Sequence, residues 1–306
     1  MRRLTSLAAL CSVTAVLGLT SCSNPTEGGG GQQQANSGDI LSSIQTDDTI
    51  AAMLPAQITA KGGLTASINA DSAPIKFLDT SGQVIGLSPE LLRAAAKVLG
   101  TKIDFVQGSF DAQVPGLESS RYDLVASIGD LVQRQTNIDF IDYLKVGTAI
   151  LASKSFAQDQ VTPDQLCGLS VGYGRGSAQQ GFLEKAAAAC VTAGKPELKI
   201  NGYQDPAAGI LSVKSGQADG YWGDGPPMAY NVKNDPTLFK IVYAAPLGVL
   251  GIGIRKDNPQ LRDALRAALL KLAQDGTYDK LLAEWGVGDS GVPSLPINTA
   301  GAKLNG

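Results

Sequence analysis

A short polar residue directly before a proline recurs along this chain, at Ser88-Pro89, Thr162-Pro163, Asp205-Pro206 and Asn258-Pro259. The side-chain oxygen of such a residue accepts a free N–H of a helix's first turn. Proline at the first helical position gives up a donor that has no partner there. Each pair therefore predicts a helix start. Strand-like stretches lie between them, at 64–68, 102–106, 122–127, 169–173, 198–203 and 219–222. Further helices are expected from Ser88 to Gly100 and over 111–119. Asp130 with Gln133 resembles a capping box for another. The clearest helix is 259–274, where Leu261, Ala264, Leu265, Ala268, Leu269 and Leu272 fall on one face at 3.6-residue spacing. Alternating β and α units predict parallel-rich sheets with helices on both faces.

The 306-residue chain begins with a different kind of segment. Arg2 and Arg3 precede a mostly apolar run to Leu19, interrupted by Thr5, Ser6, Ser12 and Thr14, too short and too polar to span a membrane. It ends in Leu19-Thr20-Ser21-Cys22, a lipobox. The expectation is a lipoprotein signal peptide at 1–21, with Cys22 lipidated and the protein held outside the cytoplasm on the cell membrane. Residues 22–59 are then expected to be a flexible tether, since 23–43 is rich in Gly, Gln, Ser and Asn. The formal net charge is −3, and loss of the two arginines makes the chain more acidic. With no basic runs, nucleic acid is not an expected partner, and neither is charge-driven lipid binding.

Of the four cysteines, Cys11 leaves with the signal and Cys22 carries lipid. Cys167 and Cys190 remain, and an even pair in an oxidising compartment reads as a disulfide. The alternative is a two-cysteine metal site, which lacks supporting ligands because the chain contains no histidine. The same absence excludes Ser-His-Asp and Cys-His nucleophiles. No carboxylate pair stands at a spacing that suggests acid–base work, and no cofactor is expected.

Two strand-to-helix junctions can recognise an anion. Val171-Gly172-Tyr173-Gly174-Arg175-Gly176-Ser177 is glycine-rich but departs from both dinucleotide and P-loop spacing. It offers backbone N–H groups at a helix N-terminus, or it is only a tight turn capped by Ser177. At the other junction, Ser127-Ile128-Gly129-Asp130 precedes Arg134, whose planar fork suits a carboxylate. Arg134 can also be a solvated side chain. Asp224, after Tyr221-Trp222-Gly223, is a candidate for a cation or for a helix cap.

From about Gly63 to Val287 the chain resembles the family 3 extracellular solute-binding proteins, amino-acid receptors of ABC importers. Gly63-Leu64-Thr65, Asp71, Pro74 and Lys76-Phe77-Leu78-Asp79 open the match, followed by Ser109-Phe110-Asp111 and Arg121-Tyr122-Asp123-Leu124. Gln133-Arg134, Asp139-Phe140, Gly253-Ile254-Arg255-Lys256-Asp257, Asp275-Gly276-Thr277-Tyr278-Asp279-Lys280 and Trp285-Gly286 complete it. The resemblance implies an α/β, two-lobed periplasmic-binding-protein-like fold (type II) with a two-strand hinge and ligand in the interlobe cleft. One lobe would be 60–147 plus 248–306 and the other 148–247. It also implies roles. Arg134 takes an α-carboxylate and Asp224 an α-ammonium. Ser127, the Gly129 backbone, Ser177 and the Ala178 N–H add contacts, and Phe110 lies against the ligand side chain.

Three departures bear on the ligand. Ser72 stands where the family often has an aromatic, Gly129 replaces a common hydroxyl, and Gly174-Arg175 replaces a bulkier residue and an amide. Arg175 either reaches an acidic ligand side chain or points to solvent. The expected function is capture of a polar amino acid, an acidic one among the candidates, by a monomer that hands it to an ABC permease. The alternatives are a ligand-binding sensor, or a dehydratase-like or peptidoglycan-cleaving enzyme on the same fold. The segment 292–306 is either packed on the first lobe or loose.

Overall fold

The computed structural model describes residues 37–298. The expected signal peptide and Cys22 lie outside the described residues. Three short helices come first: α1 (Ser37–Ser42), α2 (Asp48–Ala51) and α3 (Ala56–Lys61). The expected tether over 22–59 is therefore corrected across 37–59. Leu54 and Ile58 are buried, and Ile40, Leu41, Ile44 and Ile50 pack on the main core. Asp47 caps α2 by accepting the Thr49 and Ile50 N–H groups. The low-complexity composition upstream masks this apolar spacing.

Then follow β1 (Leu64–Ile68), β2 (Asp71–Ser72), β3 (Lys76–Leu78), β4 (Val84–Ile85) and α4 (Leu87–Val98). β5 (Ile103–Gln107), α5 (Gln113–Glu118) and β6 (Leu124–Gly129) lead into the long strand β7 (Ile138–Ser153). After it come β8 (Ser170–Gly174), α6 (Ala178–Thr192), β9 (Lys199–Tyr203), α7 (Pro206–Lys214), β10 (Gly220–Asp224) and α8 (Gly225–Asn234). A second long strand, β11 (Phe239–Arg255), precedes α9 (Pro259–Gln274) and α10 (Thr277–Glu284).

One eight-stranded sheet runs β5-β1-β6-β11-β7-β10-β8-β9, beside a small sheet β2-β3-β4. β7 and β11 pair antiparallel from Ile138↔Arg255 to Ser153↔Phe239. β6 joins one end of this ribbon, on β11 at 250–254, and β10 joins the other, on β7 at 148–152. Around each end the outer strands are parallel, β5-β1-β6 on one side and β10-β8-β9 on the other. The molecule is thus two-lobed, with one two-stranded ribbon common to both lobes. Its register shifts between Pro246 and Gly248, where the ribbon passes from one lobe to the other.

Each lobe has a core on both faces of its sheet. In the first, α4, α9 and α10 bury Leu91, Leu265 and Tyr278 on one face, and Leu117, Val125 and Phe140 pack on the other. In the second, Leu183, Val171 and Trp222 pack under α6, and Val213, Tyr221 and Met228 under α7 and α8. α9 spans the predicted residues, and all six residues of its predicted face are buried. Cys167 and Cys190 form a disulfide that ties α6 to the segment before β8. A loop of that length stabilises by about 3 kcal/mol on the chain-entropy account.

The polar-residue–proline pairs behave differently from one another. Asp205 and Asn258 cap α7 and α9 through their side chains. Thr162 forms a capping box with Gln165, but only a three-residue 3-10 turn follows. α4 starts at Leu87 after Gly86, and Ser88 lies inside it. The Ser88 hydroxyl instead meets the Tyr143 hydroxyl, a contact made across the core rather than along the helix.

The C-terminal segment is packed as far as residue 298. Gly291 and Ile297 bridge to Leu144 and Ile141 on β7. Arg266 Nε donates to the Leu295 carbonyl at 2.6 Å, and Asn298 accepts the Phe140 N–H at 2.8 Å. Leu295 is fully buried. Leu295→Ala is expected to lower stability by about 2–5 kcal/mol, as core leucine truncations do, with a lower urea midpoint and unchanged slope. An unchanged midpoint would mean that this strap adds nothing to the fold.

Candidate ligand-binding site

The carboxyl ends of β6, β8 and β10 and the N-termini of α6 and α8 converge between the lobes, the usual place for a ligand in an open α/β sheet. The cavity there is about 940 Å³, its solvent-open mouth included. Ser72, Phe110, Ser127, Gly129, Arg134, Ser177, Ala178 and Asp224 all line it. Arg175 does not. Its Nε donates to the Gly202 carbonyl at 3.1 Å and its backbone N–H to Tyr203, which holds it outside the cleft.

Arg134 sits on a 3-10 turn, Arg134–Thr136, rather than in the helix expected after Asp130. No α-helix directly follows Asp130, which accepts the Gln135 side-chain amide at 2.6 Å. Nη1 of Arg134 donates to the Gly129 carbonyl at 2.7 Å and Nη2 to the Gly176 carbonyl at 2.6 Å. The second bond joins the two lobes. Gly176 has a φ of +76°, a backbone conformation that side-chain-bearing residues avoid, and this turns its carbonyl toward Arg134. A guanidinium has five N–H donors, so three remain for another partner.

On the second lobe, Ser177 and Asp224 hold the positions before α6 and α8, yet neither side chain caps its helix. The Ser177 hydroxyl is buried without a partner. The Asp224 carboxylate accepts Gln179 Nε2 at 2.9 Å, and the same amide reaches Thr148 Oγ1, which also accepts the Trp222 indole N–H at 2.7 Å. This network orients Asp224 across the cleft from Arg134. Burial pushes the Asp224 carboxyl above the usual range, against the pull of Gln179, Lys76 and Arg134. Burial likewise brings Arg134 down to about 10, with Asp224 and Asp130 opposing. Each charge would gain from a partner of opposite sign.

Sequence reasoning gave no role to Lys76, which β3 turns inward until it is 5 % exposed. Its Nζ donates to Asn69 Oδ1 and to the Ser127 carbonyl. Gln113 also donates to Asn69 Oδ1, and Asn69 passes its own amide to Asp71, which Ser72 donates to as well. The Phe110 ring has two cations near it, its centroid 5.4 Å from Lys76 Nζ and 5.8 Å from the Arg134 guanidinium carbon. Ser127 Oγ turns away from the cleft to the Tyr143 hydroxyl at 2.8 Å. Gln179 was also missed. It immediately follows Ala178, but nothing in a glutamine near a helix start marks it as the orienter of a distant carboxylate. Lys76 stands in the opening motif, and a three-residue strand gives too little alternation to tell which face a side chain takes.

Burial holds the Lys76 ammonium down to about 8, against the attraction of Asp71 and Asp224. The unfolded chain keeps that proton to near 10.5. Between these values the unfolded state binds more protons, so stability rises with pH. Calorimetric melting between pH 8 and 10 is expected to show a Tm that rises in the parent relative to Lys76→Met. Parallel curves for the two proteins would show that Lys76 keeps its proton throughout.

Residues 64–288 match the bacterial extracellular solute-binding proteins, family 3. An arginine-binding protein of Corynebacterium glutamicum is 29 % identical over 255 residues, covering 81 % of this chain and 82 % of that one. An ancestral arginine-binding protein, with structures bound to arginine and to glutamine, superposes with a TM-score of 0.67 at 30 % identity, over 74 % of this chain and 98 % of its own. An ancestral amino-acid-binding protein, a precursor of cyclohexadienyl dehydratase, gives 0.64 at 30 % identity, over 75 % and 97 %. With the match spanning both lobes and the cleft between them, the chain belongs to the bacterial extracellular solute-binding proteins, family 3.

Proposed function

We propose that this protein is an extracytoplasmic receptor that captures a polar amino acid between its lobes and delivers it to an ABC permease in the membrane. The observation that carries this reading is the pair Arg134 and Asp224, one on each lobe, opposite in charge and turned into the same cleft. A zwitterion supplies the missing partner to both at once. Its α-carboxylate meets the free donors of Arg134, the Ser177 hydroxyl and the Ala178 N–H at the start of α6. Its α-ammonium meets Asp224. Phe110 gives the side chain an apolar wall.

The lobes in this reading are 60–147 with 248–306, and 148–247, closing on the ligand about the β7–β11 ribbon. Residues 1–21 act as a lipoprotein signal peptide and Cys22 carries the lipid that holds a monomer at the membrane. The Leu19-Thr20-Ser21-Cys22 sequence supports this. No helix among the described residues is long and apolar enough to cross a membrane. The permease is a partner inferred from the family, whose relatives include ABC-transporter binding proteins.

A catalytic reading has one observation in its favour, the buried Lys76 with its lowered pKa, because shifted titrations gather at active sites. Chromatography of the ligand after prolonged incubation separates the two. Unchanged ligand supports a receptor, and a new product supports an enzyme.

Titration calorimetry of the purified protein against the twenty amino acids tests the main reading. Saturable binding is expected for at least one polar L-amino acid. Arg134→Ala and Asp224→Asn are each expected to weaken it by about 100-fold or more, since either leaves one buried charge unpaired. No binding by any amino acid, or an Arg134→Ala protein that binds like the parent, would overturn it.

A further inference from the structure

We propose that Lys76 selects the ligand's side chain, and that the side chain it takes ends in an amide or carboxylate oxygen rather than in a cation. The inference rests on the amino-acid reading above and names the substrate class within it.

A count of donors and acceptors on this wall points that way. An ammonium has three N–H donors. Lys76 uses one on Asn69 Oδ1 and one on the Ser127 carbonyl, 2.9 Å away. Among the described residues the third has no acceptor within hydrogen-bonding distance, and Lys76 borders the cavity. A buried donor needs an acceptor, and a carbonyl or carboxylate oxygen on the ligand supplies it.

Several of the acceptors that a guanidinium or ammonium side chain would need already take protein donors. Asn69 Oδ1 takes two donors, from Lys76 and Gln113. Asp71 takes Asn69 Nδ2 at 2.9 Å and the Ser72 hydroxyl at 2.8 Å, and it is not part of the cavity wall. Asp224 is the partner of the α-ammonium. Asp130, also on the wall, takes the Gln135 amide and contributes its charge to Arg134.

Like-charge repulsion acts in the same direction. The apolar wall at Phe110 already has two cations within 6 Å, Lys76 and Arg134. A cationic side chain laid on that ring would be placed beside both, in a site where burial weakens solvent screening. An amide or carboxylate in the same place meets a donor. Two of the relatives reported above are named for arginine, one of them also with glutamine bound, so the ligand class proposed here differs from the one in their names. Arg175, the other candidate for such a role, is held outside the cleft by Gly202 and Tyr203.

The test uses the full purified protein and a calorimetric panel of glutamine, asparagine, glutamate, aspartate, arginine, lysine and ornithine. An amide or acidic amino acid is expected to bind at least 10-fold tighter than any of the three cationic ones. The amide and acidic arms identify which oxygen is preferred. Lys76→Met is expected to weaken that ligand by about 10- to 100-fold, the effect of one charged hydrogen bond. Lys76→Glu is expected to reverse the order in favour of arginine or lysine. Circular dichroism melting checks that each variant is folded, and the parent panel decides the question without either variant. Arginine, lysine or ornithine binding tightest to the parent would overturn the inference and leave the amino-acid reading standing. Failure of every amino acid would remove the reading beneath it, and the inference with it.

Discussion

β7 and β11 run side by side from Ile138 to Ser153 and from Arg255 back to Phe239, and both lobes are assembled on this one antiparallel ribbon. Each lobe recruits its own outer strands to a different end, so the backbone hydrogen bonds of two cores are continuous through the ribbon. The consequence is geometric. Residues on β6 and on β10 are brought to face one another although about a hundred positions separate them. The ribbon's register shifts at three places, and one of them, between Pro246 and Gly248, falls at the crossover between the lobes.

The cleft that results is organised around charges held away from water. Arg134 bonds the Gly176 carbonyl on the opposite lobe, and Asp224 is fixed by Gln179, which is fixed in turn by Thr148. Such orientation through a supporting side chain keeps donors and acceptors where a ligand can use them without first reordering. Burial opposes ionisation of both groups, so each gains from an opposite charge brought beside it. Lys76 extends the arrangement with a second buried cation, and Asp71 and Asn69 support it from behind.

Much of the fold was legible along the chain. The apolar face of α9 follows from helical period alone, and the Asp205 and Asn258 caps from local side-chain chemistry. The Cys167–Cys190 pairing followed from compartment and arithmetic. Legibility failed where a residue had two possible partners and only one lay nearby in sequence. Ser88 reads as a cap but bonds Tyr143, 55 positions away. Residues 37–59 read as tether because their few apolar positions are diluted by polar neighbours. They fold because α4, α9 and α10 offer a surface to cover.

By itself the sequence determined the alternation of strands and helices, the family resemblance, the placement of Ser177 and Asp224 at strand-to-helix junctions, and that of Arg134 just beyond β6. All of these depend on periods and motifs a few residues long. Tertiary structure decided which of the junction residues meet, that Arg175 turns away, and that Lys76 turns in. Those outcomes depend on β3 docking beside the end of β6 and on two lobes sharing one ribbon. Contacts between residues far apart in sequence set burial, and burial is what gives a lysine or an aspartate its chemistry.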